Sequence, residues 1–294
     1  MFVDAIERAS RFTRPIHTIS RWYGSNDVYP GAATLFFVNR DGWALTCRHV
    51  AEQLLAAEEI AKRRTNYEGE LASFSDSRKQ RRAQRDLLKK YGFQDGIPFE
   101  LLNLFFNCVE GDLQVEFFLH PEHDVALLRF HHFSRLLCNT FPVFLDNGEW
   151  LKPGKFLCRI GFPFVEFTNY CHDDNSDRIK WTDEGRKDSP WFPLEGMMTR
   201  LVSDDGVCHV GFELSTPGIR GQSGGPVFDS TGRICGMQFA TQHYDLDFDV
   251  NLEVTRGGKK KTISNSAILH VGRCIHVNVL KEFMRENGVE FEVG

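Results

Sequence analysis

No apolar run in this 294-residue sequence approaches the ~20 residues that a membrane-spanning helix needs. The N-terminus carries Asp4, Glu7, Arg8, Arg11 and Arg14 among its apolar residues, so it lacks the apolar core of roughly 7–15 residues found in a signal peptide. A cytoplasmic protein is therefore expected. There is no Cys-x-x-Cys pair, which removes the usual support for a four-thiolate zinc site. No repeat of fixed period is visible. Nor is there a surplus of positive charge: 35 basic residues face 40 acidic ones, for a net charge of -5. That balance argues against whole-molecule attraction to nucleic acid or anionic lipid, although local basic patches remain open. With 41% hydrophobic and 26% charged residues, the composition excludes collagen, low-complexity disorder and coiled coil. Methionine is scarce, at 5 residues, whereas phenylalanine reaches 26. Large aromatics suit pleated, half-buried surfaces and tilt the expectation toward β structure.

The eight cysteines are Cys47, Cys108, Cys138, Cys158, Cys171, Cys208, Cys235 and Cys274. They are scattered through a chain long enough to build its own core, and several sit in apolar, strand-like stretches. Reduced thiols acting as small hydrophobes are expected rather than a disulfide framework.

Residues 1–14 read as a short amphipathic lead. A strand over 32–38, the turn Asn39-Arg40-Asp41-Gly42 and a strand over 43–46 predict a hairpin. Val50, Leu54, Leu55, Ala57, Ile60 and Ala61 then recur at helical spacing. Between Arg78 and Lys90 seven basic residues stand against the single acid Asp86, so a basic helical insertion over about 52–98 is expected, its helix ending near Gly92. Strand-like runs return at 101–109, 113–119, 125–130 and 156–160. Residues 171–196 read as a long polar loop. Further strands are predicted at 207–214, 226–228, 233–240 and 267–277. A closing helix over 278–288 is predicted, capped by Asn278 and stopped by Gly288.

Three segments carry chemistry. Leu45-Thr46-Cys47-Arg48-His49-Val50 runs from a strand end into a helical turn. His123-Asp124-Val125-Ala126-Leu127-Leu128 sets an acid before an apolar strand. Gly218-Ile219-Arg220-Gly221-Gln222-Ser223-Gly224-Gly225-Pro226 is a glycine-rich loop opening a strand. A serine hydroxyl needs a partner base to act as a nucleophile. The oxyanion formed by attack on a carbonyl needs preorganised donors. Glycines around Ser223 permit positive φ and let the Gly221 and Ser223 amides point into one cavity.

The order His, Asp, Ser and the run Gly221 to Pro226 resemble the chymotrypsin-like serine peptidases. The nearer likeness is to the HtrA-type branch. Ile160-Gly161-Phe162-Pro163-Phe164 looks like that branch's Gly-x-Pro turn, and Pro226 to Gln238 resembles its strand–turn–strand after the nucleophile. The resemblance implies an all-β fold of two six-stranded β-barrels with the helical insertion and a C-terminal helix. It implies one peptidase unit over 1–294, with an N-terminal barrel over 16–148 and a C-terminal barrel over 149–277. Ser223 would be the nucleophile, His49 the general base and Asp124 the residue holding the imidazole. Gly221 and Ser223 would supply the oxyanion hole. No cofactor and no metal is implied. Gln222 stands where clip-activated members place an Asp, so that switch is not expected. Val50 follows His49 where secreted members have a Cys. With 71 residues after Ser223, no trailing PDZ domain is expected.

Specificity is less legible. The acid that selects basic substrates in trypsin-like relatives, six residues before the nucleophile, is replaced by Pro217. Phe239, Ala240 and Thr241 are expected to wall the substrate pocket, with Pro217, Ile219 and His243 beside them. An acid among Asp245, Asp247 and Asp249 would favour Arg or Lys; His243 would favour an acid; Ile219 and Phe239 would line an apolar pocket. Asp112 is the nearest upstream competitor of Asp124, but an alternating stretch follows it. His120, His123, His131 and His132 fit no trusted metal spacing and read as ordinary surface histidines. The basic stretch 78–90 reads as a solvated helix face, with a regulatory or activating protein docking on the 52–98 insertion as the sharper alternative. The expected substrate is an extended polypeptide, with no membrane partner and no nucleic acid. Rival readings are a catalytically silent protease-like binding module and an esterase using the same triad.

Overall fold

The computed structural model describes residues 1–74, 77–203, 206, 208–256 and 259–294, with side chains at all of these except 77–81, 256, 259, 261 and 263. Arg78, Lys79, Arg81 and Val207 of the sequence reading thus lie outside the residues described in full.

The first sheet contains β1 (Thr13–Trp22), β2 (Val28–Phe37), β3 (Trp43–Thr46), β4 (Pro98–Phe105), β5 (Val109–Leu119) and β6 (Ala126–Leu136). Their order is β4-β1-β2-β3-β6-β5, all antiparallel. The edge strands β4 and β5 are consecutive in sequence, so the barrel is nearly closed. The predicted hairpin is β2–β3, with Phe36 opposite Leu45 and Gly42 in the turn at φ 83°. Strand β2 is exposed near Tyr29 and Pro30 but wholly buried from Thr34 to Phe37, where it enters the core with Phe12, Phe130 and Phe144.

The second sheet contains β7 (Val143–Phe144), β8 (Phe156–Gly161), β11 (Phe192–Ser203), β12 (His209–Leu214), β13 (Pro226–Phe228), β14 (Ile234–Arg256), β15 (Lys259–His276) and β16 (Glu292–Val293). Between β8 and β11 lies a separate hairpin of β9 (Tyr170–Asp173) and β10 (Arg178–Trp181). The ring β13-β8-β11-β12-β15-β14 is closed by pairing of β13 with β14, which gives a second six-stranded barrel; β7 and β16 extend its edge. The fold is the expected all-β double barrel.

Among the described residues there are four α-helices, α1 (Val3–Phe12), α2 (Arg48–Ala72), α3 (Ser77–Tyr91) and α4 (Val277–Glu286), and one short 3-10 helix over Gly148–Trp150. Ala5, Ala9 and Phe12 form the buried stripe of α1 at helical spacing. Helix α2 buries Val50, Leu54, Ala57 and Ile60 as the periodicity predicts and runs on to Ala72; Leu55 stays exposed. Its far half is anchored by charge. Arg64 and Arg21, both almost fully buried, contact Glu100 at 2.6 and 2.7 Å, and both also reach Asp177. This cluster ties the insertion to β1, β4 and the β9–β10 hairpin.

Three local expectations differ from the structure. Residues 171–196 contain the β9–β10 hairpin rather than loop alone. Strands β14 and β15 run far past Ala240 and begin well before Ala267, as a long hairpin projecting from the barrel. Helix α4 is capped by His276, whose ring accepts from the Asn278 amide at 3.2 Å; Asn278 is already inside the helix. Among the described residues no helix is long and apolar enough to cross a membrane.

Candidate active site

The sequence places His49 one residue inside α2, immediately after the buried end of β3. Asp124 lies in the turn that enters β6, antiparallel to β3, so β-pairing brings the two together. Asp124 Oδ1 accepts from the His49 backbone amide at 2.9 Å, and Oδ2 faces His49 Nδ1 at 2.7 Å. This double contact fixes ring orientation and assigns the Nδ1 proton toward the carboxylate, leaving Nε2 as the basic nitrogen. The turn itself is braced. Arg48 donates to the His120 and Pro121 carbonyls, each at 2.9 Å, and His120 Nδ1 accepts from the amides of Glu122 and His123. His120 and His123 thus serve the Asp124 turn. Asp112 is exposed on β5.

Ser223 arrives from the other barrel. Its loop crosses onto β2: the Thr34 amide donates to the Ser223 carbonyl at 2.9 Å, and Thr34 Oγ1 donates to the Gly221 carbonyl at 2.7 Å. Thr46, three residues before His49, donates to the Thr34 carbonyl at 2.7 Å. Glycine is required at 224, where φ is 86° and a Cβ would lie 2.0 Å from the Thr34 oxygen. Gly221 likewise has φ 96°, with the Phe162 oxygen 2.5 Å from where its Cβ would be. Gln222 is buried and staples the loop: its Oε1 accepts from the Ile219 amide at 3.1 Å and its Nε2 donates to the Phe192 carbonyl. Among the described residues, neither the Gly221 nor the Ser223 amide donates to a protein acceptor.

Ser223 Oγ contacts the Phe239 carbonyl at 3.5 Å, and no hydrogen bond joins it to the His49 ring. His49 and Asp124 are in contact, whereas the Ser223 hydroxyl is turned toward β14.

Cys47 adjoins this pair. Its sulfur, a His49 ring nitrogen and an Asp124 oxygen all lie within 4.8 Å of one another. It is a poor metal donor. Burial, and after it the charge of Asp124, pushes its thiol well above the usual range, and Sγ lies 3.4 Å from the Gln238 carbonyl. Cys108, Cys138, Cys158, Cys235 and Cys274 are also buried thiols.

A family model described as a trypsin-like peptidase domain matches residues 33–237. The chain belongs to the trypsin-like peptidase family. No curated protein sequence matches it as a relative. Among solved structures, the HtrA-type protease AlgW with a tripeptide is similar at TM-score 0.47 and 12% identity, over 97% of this chain and 62% of AlgW. The chain thus spans less than two thirds of AlgW's length. A protease of M. tuberculosis in its active form is similar at TM-score 0.46 and 11% identity, over 99% of this chain and 86% of that one.

Within this peptidase domain the expected pocket residues fall in two places. Pro217 and Ile219 lie on the loop before Ser223; Phe239, Ala240 and Thr241 lie on β14 opposite. His243 is exposed farther along β14, where its ring contacts His270 of β15. Asp245, Asp247 and Asp249 are exposed on the outer hairpin. Thr34, Thr46, Gln222, Arg159 and Gln238 were not singled out as site residues from sequence. Arg159 carried a signal: it is a lone charge in the apolar strand Phe156–Gly161.

Proposed function

We propose that the protein is a serine endopeptidase that cleaves extended polypeptides through an acyl-enzyme. What supports this reading is the Asp124–His49 contact, with Ser223 on a loop tied through Thr34 to the barrel that carries that pair and with the Gly221 and Ser223 amides free of protein acceptors among the described residues. In the first step Ser223 Oγ turns from the Phe239 carbonyl and attacks the substrate carbonyl carbon while His49 Nε2 takes its proton. The oxyanion is received by the Gly221 and Ser223 amides. Protonated His49 then gives its proton to the leaving nitrogen, the C–N bond breaks, and the acyl group stays on Ser223. Water attacks next, with His49 again accepting a proton, and the acid product leaves as Ser223 regains its hydrogen. Asp124 stabilises the imidazolium in both halves.

Regulation belongs to the same proposal. The 52–98 insertion is built on α2, which also carries His49, so a protein partner bound to the insertion has a direct mechanical route to the general base. The buried thiols favour a reducing compartment such as the cytoplasm. The Ser223 contact with Phe239, in place of His49, favours one second reading, a silent binding module. A serine-reactive fluorophosphonate separates the two. Labelling that is lost in Ser223→Ala supports the peptidase; no labelling, with or without candidate partners, supports the module.

A further inference from the structure

The loop Pro217–Ile219 leads into Ser223, and the strand segment Phe239–Thr241 meets the Ser223 hydroxyl through the Phe239 carbonyl at 3.5 Å. A substrate lying extended along that strand edge inserts the side chain preceding the scissile bond between them. The space is already filled by the protein. Thr241 Oγ1 donates to the Gly218 carbonyl at 2.7 Å, which joins the two walls. Beneath this bridge lies the Gln238 amide: a Cβ on Gly218 would be 2.3 Å from Gln238 Nε2. Gln238 is held in place, since Nε2 donates to the Ala240 carbonyl at 2.6 Å and Oε1 accepts from Arg159 Nη1 at 3.0 Å. Arg159 closes the floor from β8. Its Nη2 donates to the Thr216 carbonyl at 2.9 Å, to Thr216 Oγ1 at 3.1 Å, and to the Pro217 carbonyl. From β15, Gly272 leaves no further room: its Cβ position is 2.5 Å from Arg159 Nη1 and 2.7 Å from the Thr216 oxygen.

We propose that Arg159 and Gln238 plug the pocket beside Ser223, so that the protein cleaves after Gly, Ala or Ser. This rests on the peptidase reading above and adds the substrate class. Arg159 is fully buried, and its partners are uncharged oxygens and the Cys274 thiol. No carboxylate neutralises it among the described residues, and its Nε has no partner. A guanidinium stays charged under all ordinary conditions. An apolar residue of similar size would fill the strand interior without that desolvation cost. The plug therefore discriminates in two ways. Its volume bars aromatic and long aliphatic side chains, and its positive charge repels Lys and Arg. Acidic side chains are barred by Gln238, which covers the one group that would attract them.

The test is cleavage of a peptide library, randomised at the position before the cut, by the purified full chain, with products read by mass spectrometry. Fluorophosphonate labelling of the same preparation is measured in parallel. The expected wild-type profile favours Gly, Ala and Ser over Phe, Leu, Lys, Arg and Glu by at least about tenfold, the order that one or two misfitting methylenes impose. Gln238→Gly removes the cover over the cation. It should shift the ratio of cleavage after Glu or Asp to cleavage after Ala upward by about tenfold or more. Because the readout is a ratio, a change in overall rate does not disturb it, and the wild-type profile stands even where a variant fails to fold. A labelled wild-type enzyme that cuts after Lys, Arg, aromatic or acidic residues overturns the plug and leaves the peptidase reading intact. An unchanged ratio in folded Gln238→Gly also overturns it. Absence of both labelling and cleavage overturns the two together.

Discussion

Replacing Thr34 by Val tests how the two barrels share one site. Thr34 Oγ1 donates to the Gly221 carbonyl at 2.7 Å and accepts from the Phe162 amide at 3.2 Å. Both partners belong to the second barrel, and Thr34 is fully buried. Val preserves the side-chain volume, so no cavity forms. What it removes is the hydroxyl, leaving one carbonyl and one amide without a partner. An unsatisfied buried polar group costs about 1–3 kcal/mol, so the pair should cost about 2–6 kcal/mol of stability. The same hydroxyl anchors the Gly221 carbonyl, whose peptide adjoins the Arg220–Gly221 peptide that carries the Gly221 N–H. Once the carbonyl is released, Gly221 can rotate and carry its N–H away, and under the proposed mechanism loss of one oxyanion donor slows acyl transfer by about 10²-fold or more. Denaturant unfolding reads the first effect and the rate of fluorophosphonate labelling reads the second. Thr34→Ser, which keeps the hydroxyl, should recover most of the labelling rate. A Val variant with unchanged stability and unchanged labelling refutes the coupling.

Asp124→Asn should lower the labelling rate by about 10³–10⁴-fold with little loss of stability, because an amide presents the wrong partner to His49 Nδ1; parallel unfolding and labelling measurements check it. Gly224→Ala should fail to give folded protein, since its Cβ would stand 2.0 Å from the Thr34 oxygen at a φ of 86°, and soluble yield with circular dichroism will report it. Glu100→Gln leaves Arg21 and Arg64 buried with a diminished counter-charge and should destabilise by about 3–5 kcal/mol in denaturant unfolding. His17 and His276 are both buried, and burial first of all pulls each imidazole from 6.5 down to about 4. The unfolded chain binds their protons below pH 6.5 while the folded chain resists until about pH 4, so stability rises with pH across that window. The displacement from 6.5 to about 4 corresponds to about 3 kcal/mol for each ring, and His17→Leu should flatten the unfolding midpoint between pH 7 and pH 4.5.

The parts of the fold written in turn chemistry were readable in advance. Asp41-Gly42 marks a hairpin, and the glycines around Ser223 mark a loop that only positive φ allows. The order of the candidate site residues was legible because each sits where an apolar strand begins or ends. The misread parts follow from features without such marks. Strands β9 and β10 have four residues each and carry His, Asp, Arg and Lys, so they look like loop. The outer half of the β14–β15 hairpin projects from the barrel and has no core face to impose an apolar pattern. Arg64 lies in a stretch rich in charge, and only the fold supplies Glu100 and Asp177 to bury it. The Arg159–Gln238 plug joins residues 79 apart; the lone Arg in an apolar strand signalled it, but not its position beneath Ser223.

The most direct test of the central claim is the trapping of an acyl-enzyme. The full chain is mixed with a peptide ester carrying Ala before the reactive carbonyl, quenched in acid within its first turnover, and weighed intact and after digestion. The account predicts an added acyl mass on the peptide containing Ser223, absent from Ser223→Ala and sharply reduced in His49→Ala. An acyl group on Cys47 or elsewhere, or substrate turnover that survives in Ser223→Ala, would contradict it.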